Sequence, residues 1–175
     1  MMMGDEQWTK WRLLLSQTAI ELFEHYGVTL HDEPRWTPVL GEGEHVAGSV
    51  YFCGDLIQGA LTVCATRELL GSATPVAPEL PIPLSDFARE IANQIMGGLK
   101  SRLTGHGVDF SYAFADPVVQ QPEAAPGGDA RTLVLRSAGG EVALMFVITS
   151  NVDLASAGDA VPQKAPQGPG GLILL

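Results

Sequence analysis

Two kinds of apolar spacing alternate along this chain, and the order in which they come is written twice. Over residues 8–26, Trp8, Trp11, Leu15, Ala19, Leu22 and Tyr26 recur at intervals of three and four, which is one buried helix face, and Gly27 is a fitting residue to end it. Residues 28–31 are a short strand candidate. Residues 32–44 carry Pro34, Pro38, Gly41 and Gly43 and predict a loop. Residues 46–53 and 57–65 then alternate with a period of two: Val46, Val50 and Phe52 share one face, as do Ile57, Leu61 and Val63. Gly54-Asp55 between them marks a hairpin turn. One or two helical turns follow at 67–72, and four prolines within 74–83 make that stretch an extended connector.

The second helix, residues 85–104, is the clearest. Phe87, Ala88, Ile91, Ala92, Ile95, Leu99 and Leu103 fall on one side, with Met96 at its edge; Asp86, Glu90, Asn93, Gly97, Ser101 and Thr104 fall on the other. Ser85 is placed to cap its N-terminus. Beyond it the pattern returns. Gly107-Val108 echoes Gly27-Val28, residues 110–115 predict a strand, and 120–129 a Pro/Gly loop. Residues 132–137 and 141–149 predict a second hairpin around Gly139-Gly140, and ALMFVITS at 143–150 echoes ALTVCATR at 60–67. The chain thus reads as helix, strand, loop and hairpin, twice over. The last strand is apolar on both sides, with Val142, Leu144, Phe146 and Ile148 on one and Ala143, Met145 and Val147 on the other, so cover is expected on both.

Composition narrows the class. A chain of 175 residues, 46% hydrophobic and 17% charged, suits one domain with a sizeable core. That domain is assigned to 1–153, and residues 154–175, rich in Ala, Gly, Pro and Gln, to a mobile tail. A net charge of −10 argues against nucleic acid and anionic membrane surfaces as partners. Residues 1–10 lack the basic start and apolar core of a secretory signal, and no apolar run has the length of a membrane span, so a cytoplasmic protein is expected. Cys53 and Cys64 would lie about 23 Å apart along the first hairpin, too far for a disulfide, and are expected as buried thiols. Glu42, Glu44 and His45 share a predicted loop, where solvation explains them without a metal.

The polar side of the second helix is unusual. A solvated face ordinarily carries Lys and Glu four apart. Here Glu90 and Asn93 share the face, and Gly97-Gly98 spends helix propensity twice, at about 1 kcal/mol for each glycine relative to alanine. Gly98 turns to the apolar side, where close packing on the sheet accounts for it. Gly97 turns outward and leaves a bare spot beside a carboxylate and a carboxamide, which suits a docked partner. Gln94, about 100° around the helix from Asn93, could touch that partner without sharing its slot. Asp86 is placed either for partner contact or for the helix N-terminus.

Asp86-x3-Glu90-x2-Asn93, followed by Gly97-Gly98, resembles the signature of the CheC and CheX chemotaxis phosphatases: Ser or Asp, three residues, Glu, two residues, Asn, and a distant proline. Pro117 follows Asn93 with 23 residues between, one more than in that signature. The resemblance covers roughly residues 8–150. It implies an α+β fold of two pseudo-repeated α-β-β-β halves, their strands merged into one mixed sheet with the long helices packed on it. It implies a phosphatase acting on the aspartyl phosphate of a CheY-like response regulator. Asn93 would then orient the attacking water and Glu90 would engage the receiver's lysine, with Asp86, Gln94 and Gly97 as partner contacts. The magnesium ion would be the receiver's, so no cofactor of this chain's own is expected. The first helix carries Gln17, Glu21 and Glu24 but no second copy of the motif, so one site is expected, as in the CheX-like branch, together with a homodimer joined through strand edges. The alternatives are a non-catalytic module of the same fold, docking a receiver or a flagellar switch component, and a structural dimerisation domain.

Overall fold

The two long helices form where the apolar spacing puts them, and each ends for the same reason. The computed structural model describes residues 4–36, 44–73, 82–114 and 129–150. Helix α1 spans Asp5–His25 and helix α3 spans Leu84–Thr104, both of 21 residues. Each stops at a glycine in the left-handed region, Gly27 at φ 77° and Gly107 at φ 75°, where a side chain would be strained. After each, a valine N–H bonds back into the last turn: Val28 to the Phe23 carbonyl and Val108 to that of Leu103. Helix α3 starts one residue earlier than its spacing suggests. Its cap is Pro83, whose carbonyl accepts from the Asp86 and Phe87 N–H groups at 3.0 Å each, and Ser85 lies inside the first turn without capping it.

Six strands, β1 (His31–Trp36), β2 (His45–Cys53), β3 (Ile57–Thr66), β4 (Ser111–Phe114), β5 (Asp129–Ser137) and β6 (Gly140–Ser150), form one sheet in the order β1-β5-β6-β3-β2-β4. A short helix α2, Arg67–Ala73, follows β3. Exchanging β1 with β4, β2 with β5 and β3 with β6 reverses this order into itself, so the two halves are related by a pseudo-twofold. The register agrees. His31 pairs with Arg136 on one edge, and its counterpart Ser111 pairs with Cys53 on the other. Thr62 pairs with Met145, two residues that hold equivalent places in the echoed strands, so the axis runs between them. Each half lends its first strand to the other half's hairpin.

Every described pairing is antiparallel, which replaces the expected mixed sheet. Strand β1 also corrects the loop expected from residue 32 onward. Proline is tolerated on an edge strand, and β1 is an edge with an irregular register between Asp32 and Trp36. The neighbouring expectations for residues 37–43, Pro117 and the tail at 154–175 lie outside the described residues.

Both long helices cover one face of the sheet. Their buried side chains, with Val50, Phe52, Leu61, Val63, Leu144 and Phe146 from the strands, make one core. Phe146 is its centre, 5.2 Å from the Trp11 ring and 5.6 Å from Phe52, which stacks on it. On the opposite face of β6 Ala143 is buried but Met145 is 44% exposed, so the even cover expected there is not found.

Glycines set how closely α3 sits. A Cβ on Gly48 of β2 would run into the Arg89 backbone N–H and stand 2.6 Å from the Arg89 Cα, so α3 rests backbone to backbone on β2. Gly98 does not pack on the sheet as its direction suggested. It faces α1, where an added Cβ would meet the Thr18 methyl at 2.6 Å. Beside it Arg102 crosses between the helices, donating to the Thr18 hydroxyl at 2.8 Å and to Glu21 at 2.7 Å. The cysteines are free as expected, but Cys53 is exposed and Cys64 only half-buried. Burial, then the nearby Glu141 carboxylate, pushes the Cys64 thiol up. Glu44 and His45 have different partners: Glu44 pairs with Arg67 at 2.8 Å, and His45 contacts Glu141 at 3.3 Å.

Candidate functional site

The outward face of α3 follows directly from its inward one. With Phe87, Ile91, Ile95 and Leu99 committed to the core, the helix must turn Glu90, Asn93 and Gly97 away from the sheet. None of the three is fully exposed; all are half-buried. Glu90 and Asn93 stand one turn apart on this face, on a rigid helix anchored at Gly48.

Two tyrosines that the sequence pattern did not single out border the face. Tyr26, at the end of α1, donates its hydroxyl hydrogen to Gln94 Oε1 at 3.2 Å. Gln94 Nε2 in turn donates to Glu90 Oε1 at 2.8 Å. Burial, followed by the Glu90 charge, pushes the Tyr26 phenol above its ordinary range. Tyr112, on edge strand β4, reaches over Gly97: an added Cβ there would stand 3.1 Å from the Tyr112 hydroxyl. The space above Gly97 is therefore taken up by this chain's own side chain, which corrects its description as a bare spot. The one local signal for these residues was an aromatic at the end of a helix and another on an edge strand. Their nearness to α3 depends on tertiary contacts.

The remaining predicted residues take different parts. Asp86 is exposed and pairs with Arg89 at 2.8 Å on its own helix. Gln94 is turned along the helix toward Glu90 and Tyr26. The Asn93 carboxamide makes no hydrogen bond among the described residues. Farther along, Lys100 pairs with Asp109 at 3.0 Å, holding that carboxyl below its usual range. Among the described residues no group of three or more His, Cys, Asp or Glu is placed to hold a metal, and no helix is long and apolar enough to cross a membrane.

The pseudo-twofold sets α1 opposite α3, but the equivalent positions carry different residues. Counting equal steps back from Gly27 and Gly107, Lys10 stands where Glu90 does and Leu13 where Asn93 does. Leu13 is 44% exposed and offers no polar group.

Gly97 gives a direct test of the site's geometry. Gly97→Ala is expected to leave the melting temperature unchanged or raise it slightly, because about 1 kcal/mol of helix propensity offsets a small shift of the Tyr112 tip. Gly97→Leu should displace the Tyr112 ring, and a ring-current shift of the Tyr112 protons in NMR spectra would record it. A sharp fall in melting temperature for Gly97→Ala would mean that Tyr112 cannot give way.

By sequence comparison the chain matches no protein-family model and no curated protein. Its fold does match solved structures. The chemotaxis protein CheX from Vibrio vulnificus is 16% identical, over 78% of this chain and 97% of that one, with a TM-score of 0.63. A CheC-like superfamily protein from Shewanella sp. PV-4 is 16% identical, over 78% and 95%, with a TM-score of 0.59. A chain of the CheX-CheY-BeF3-Mg complex from Borrelia burgdorferi is 15% identical, over 78% and 96%, with a TM-score of 0.53. The two halves, their shared sheet and the paired helices of this chain are a CheC/CheX-like fold.

Proposed function

We propose that this protein removes phosphate from the aspartyl phosphate of a CheY-like receiver, with Asn93 orienting the water and Glu90 engaging the receiver. One observation carries the reading: within a CheC/CheX-like fold, a single rigid helix face presents, one turn apart, a carboxylate and a carboxamide that bonds to no other described residue. A structure of this fold described as a CheX-CheY-BeF3-Mg complex supports a CheY-like partner. The chemistry demands little. An aspartyl phosphate hydrolyses on its own, and what it lacks is a water held in line with phosphorus. The Asn93 carboxamide can accept from and donate to that water. Attack breaks the bond from phosphorus to the aspartyl oxygen, releasing inorganic phosphate and restoring the receiver's carboxylate. Glu90 offers an oxygen to a cationic group on the receiver and sets the docked register. Magnesium would be carried by the receiver.

The test is to mix the protein with purified phosphorylated receivers and follow phosphate loss against each receiver alone. Acceleration of at least one receiver is expected. Binding with no acceleration would favour the scaffold alternative, and neither binding nor acceleration with any receiver would defeat both.

A homodimer is proposed with it. Strand β4, of four residues, pairs with β2 alone among the described residues, so an edge of the sheet is there for pairing between copies. Sedimentation of the full chain at micromolar concentration is expected to give a dimer, and a truncation lacking residues 155–175 the same. A monomeric full chain would overturn the assembly, and a monomeric truncation would assign an interface to the tail.

A further inference from the structure

We infer that Tyr26 and Gln94 are positioning residues: together they hold the Glu90 carboxylate in one orientation from a point anchored in the other half of the fold. This rests on the role proposed for Glu90. A glutamate on a helix surface ordinarily samples several rotamers, and a glutamine one turn on is as flexible as the glutamate it would steady. The order must come from outside the helix, and Tyr26 supplies it. Its backbone N–H bonds to the Leu22 and Phe23 carbonyls at the end of α1, and Gly27 then turns the chain away. Its ring meets Phe87 edge to face at 5.4 Å, and Phe87 is only 3% exposed. With its ring fixed, its hydroxyl stands 3.2 Å from Gln94 Oε1. The Glu90 carboxylate, which only accepts, settles which way the carboxamide faces: its nitrogen donates to Glu90 Oε1 at 2.8 Å, and its oxygen is left to accept from the tyrosine.

Glutamine at position 94 meets both partners, one with its oxygen and one with its nitrogen. A carboxylate there would repel Glu90 and could donate nothing to it; leucine would break both bonds. Glu90 Oε1 is thereby committed, while Oε2 has no hydrogen-bond partner among the described residues and is left for the receiver. The single site is in this way built from both halves: the reacting groups stand on α3, and the residue that orders one of them closes α1.

Two measurements test this, one independent of any activity. First, the Tyr26 phenol is titrated by NMR in the full chain. Glu90→Gln should lower its pKa, because a nearby negative charge is lost, and Gln94→Leu should move it, because the partner of its hydroxyl is lost. If neither variant moves the Tyr26 titration, the three groups are not coupled and the inference fails whatever the protein does. Second, dephosphorylation of a receiver that responds to wild-type protein is followed with Gln94→Leu and Tyr26→Phe. Both should raise KM about 3- to 10-fold, the scale of ordering one flexible side chain on docking, with kcat within twofold of wild type. Wild-type KM in both variants, beside a raised KM for Glu90→Ala, would overturn the positioning role while leaving the phosphatase reading intact. Wild-type protein that accelerates no receiver would defeat that reading instead, and the titration alone would then decide whether Tyr26 and Gln94 hold Glu90.

Discussion

Asn93→Ala is expected to slow assisted phosphate loss by about 100-fold or more, down to the receiver's own rate, while receiver binding changes little. The side chain is half-buried on the outer face of α3 and makes no hydrogen bond to the described residues, so its removal breaks none among them. Alanine is also the better helix former, and the fold should not suffer. What is lost is one carboxamide that both donates and accepts, and with it the alignment of a water. Phosphate release measured beside receiver affinity separates the two effects. A variant that binds and turns over like wild type would remove Asn93 from the chemistry. Glu90→Ala should behave differently, weakening affinity and turnover together, because it removes a charge that acts on docking.

The largest expected effect on stability is at Gly48. Gly48→Ala forces a methyl group into the backbone of α3 at Arg89, and a main chain, unlike the tip of a side chain, cannot swing aside. Overpacking of this kind costs about 1–3 kcal/mol, and backbone against backbone belongs at the upper end. For a domain of this size the melting temperature should fall by roughly 2–12 °C. Gly48→Val should prevent α3 from seating at all, taking the site with it. Thermal unfolding by circular dichroism measures the first, and receiver binding the second. An unchanged melting temperature for Gly48→Ala would mean that α3 can lift from β2 without loss.

The contrast between Gly48, Gly97 and Gly98 shows how far local pattern reaches. The paired glycines of α3 were visible as costly choices, but their causes were not. Gly98 makes room for Thr18 of α1, and Gly97 lies under Tyr112 of β4. Gly48 carried no signal, since a small residue in an alternating strand has many explanations, and only the closeness of Arg89 singles it out. The strand expected at 28–31 lies instead at His31–Trp36, because Pro34 and its neighbours read as a loop, whereas an edge strand paired on one side tolerates a missing donor. Tyr26 counted as one more apolar position of α1, and nothing nearby in sequence indicated that its hydroxyl meets Gln94.

By itself the sequence determined the helices, the hairpins, their repetition and the face on which Glu90 and Asn93 stand. Each of these depends on residues a few positions apart, whose spacing fixes which side is apolar. Only the tertiary structure decided what surrounds that face: the exchange of β1 and β4 between halves, the seating of α3 on Gly48, and the arrival of Tyr26 and Tyr112 at Gln94 and Gly97. Those contacts join residues far apart in the chain, and a hydrogen bond or a close approach between them leaves no periodicity along the chain to be read.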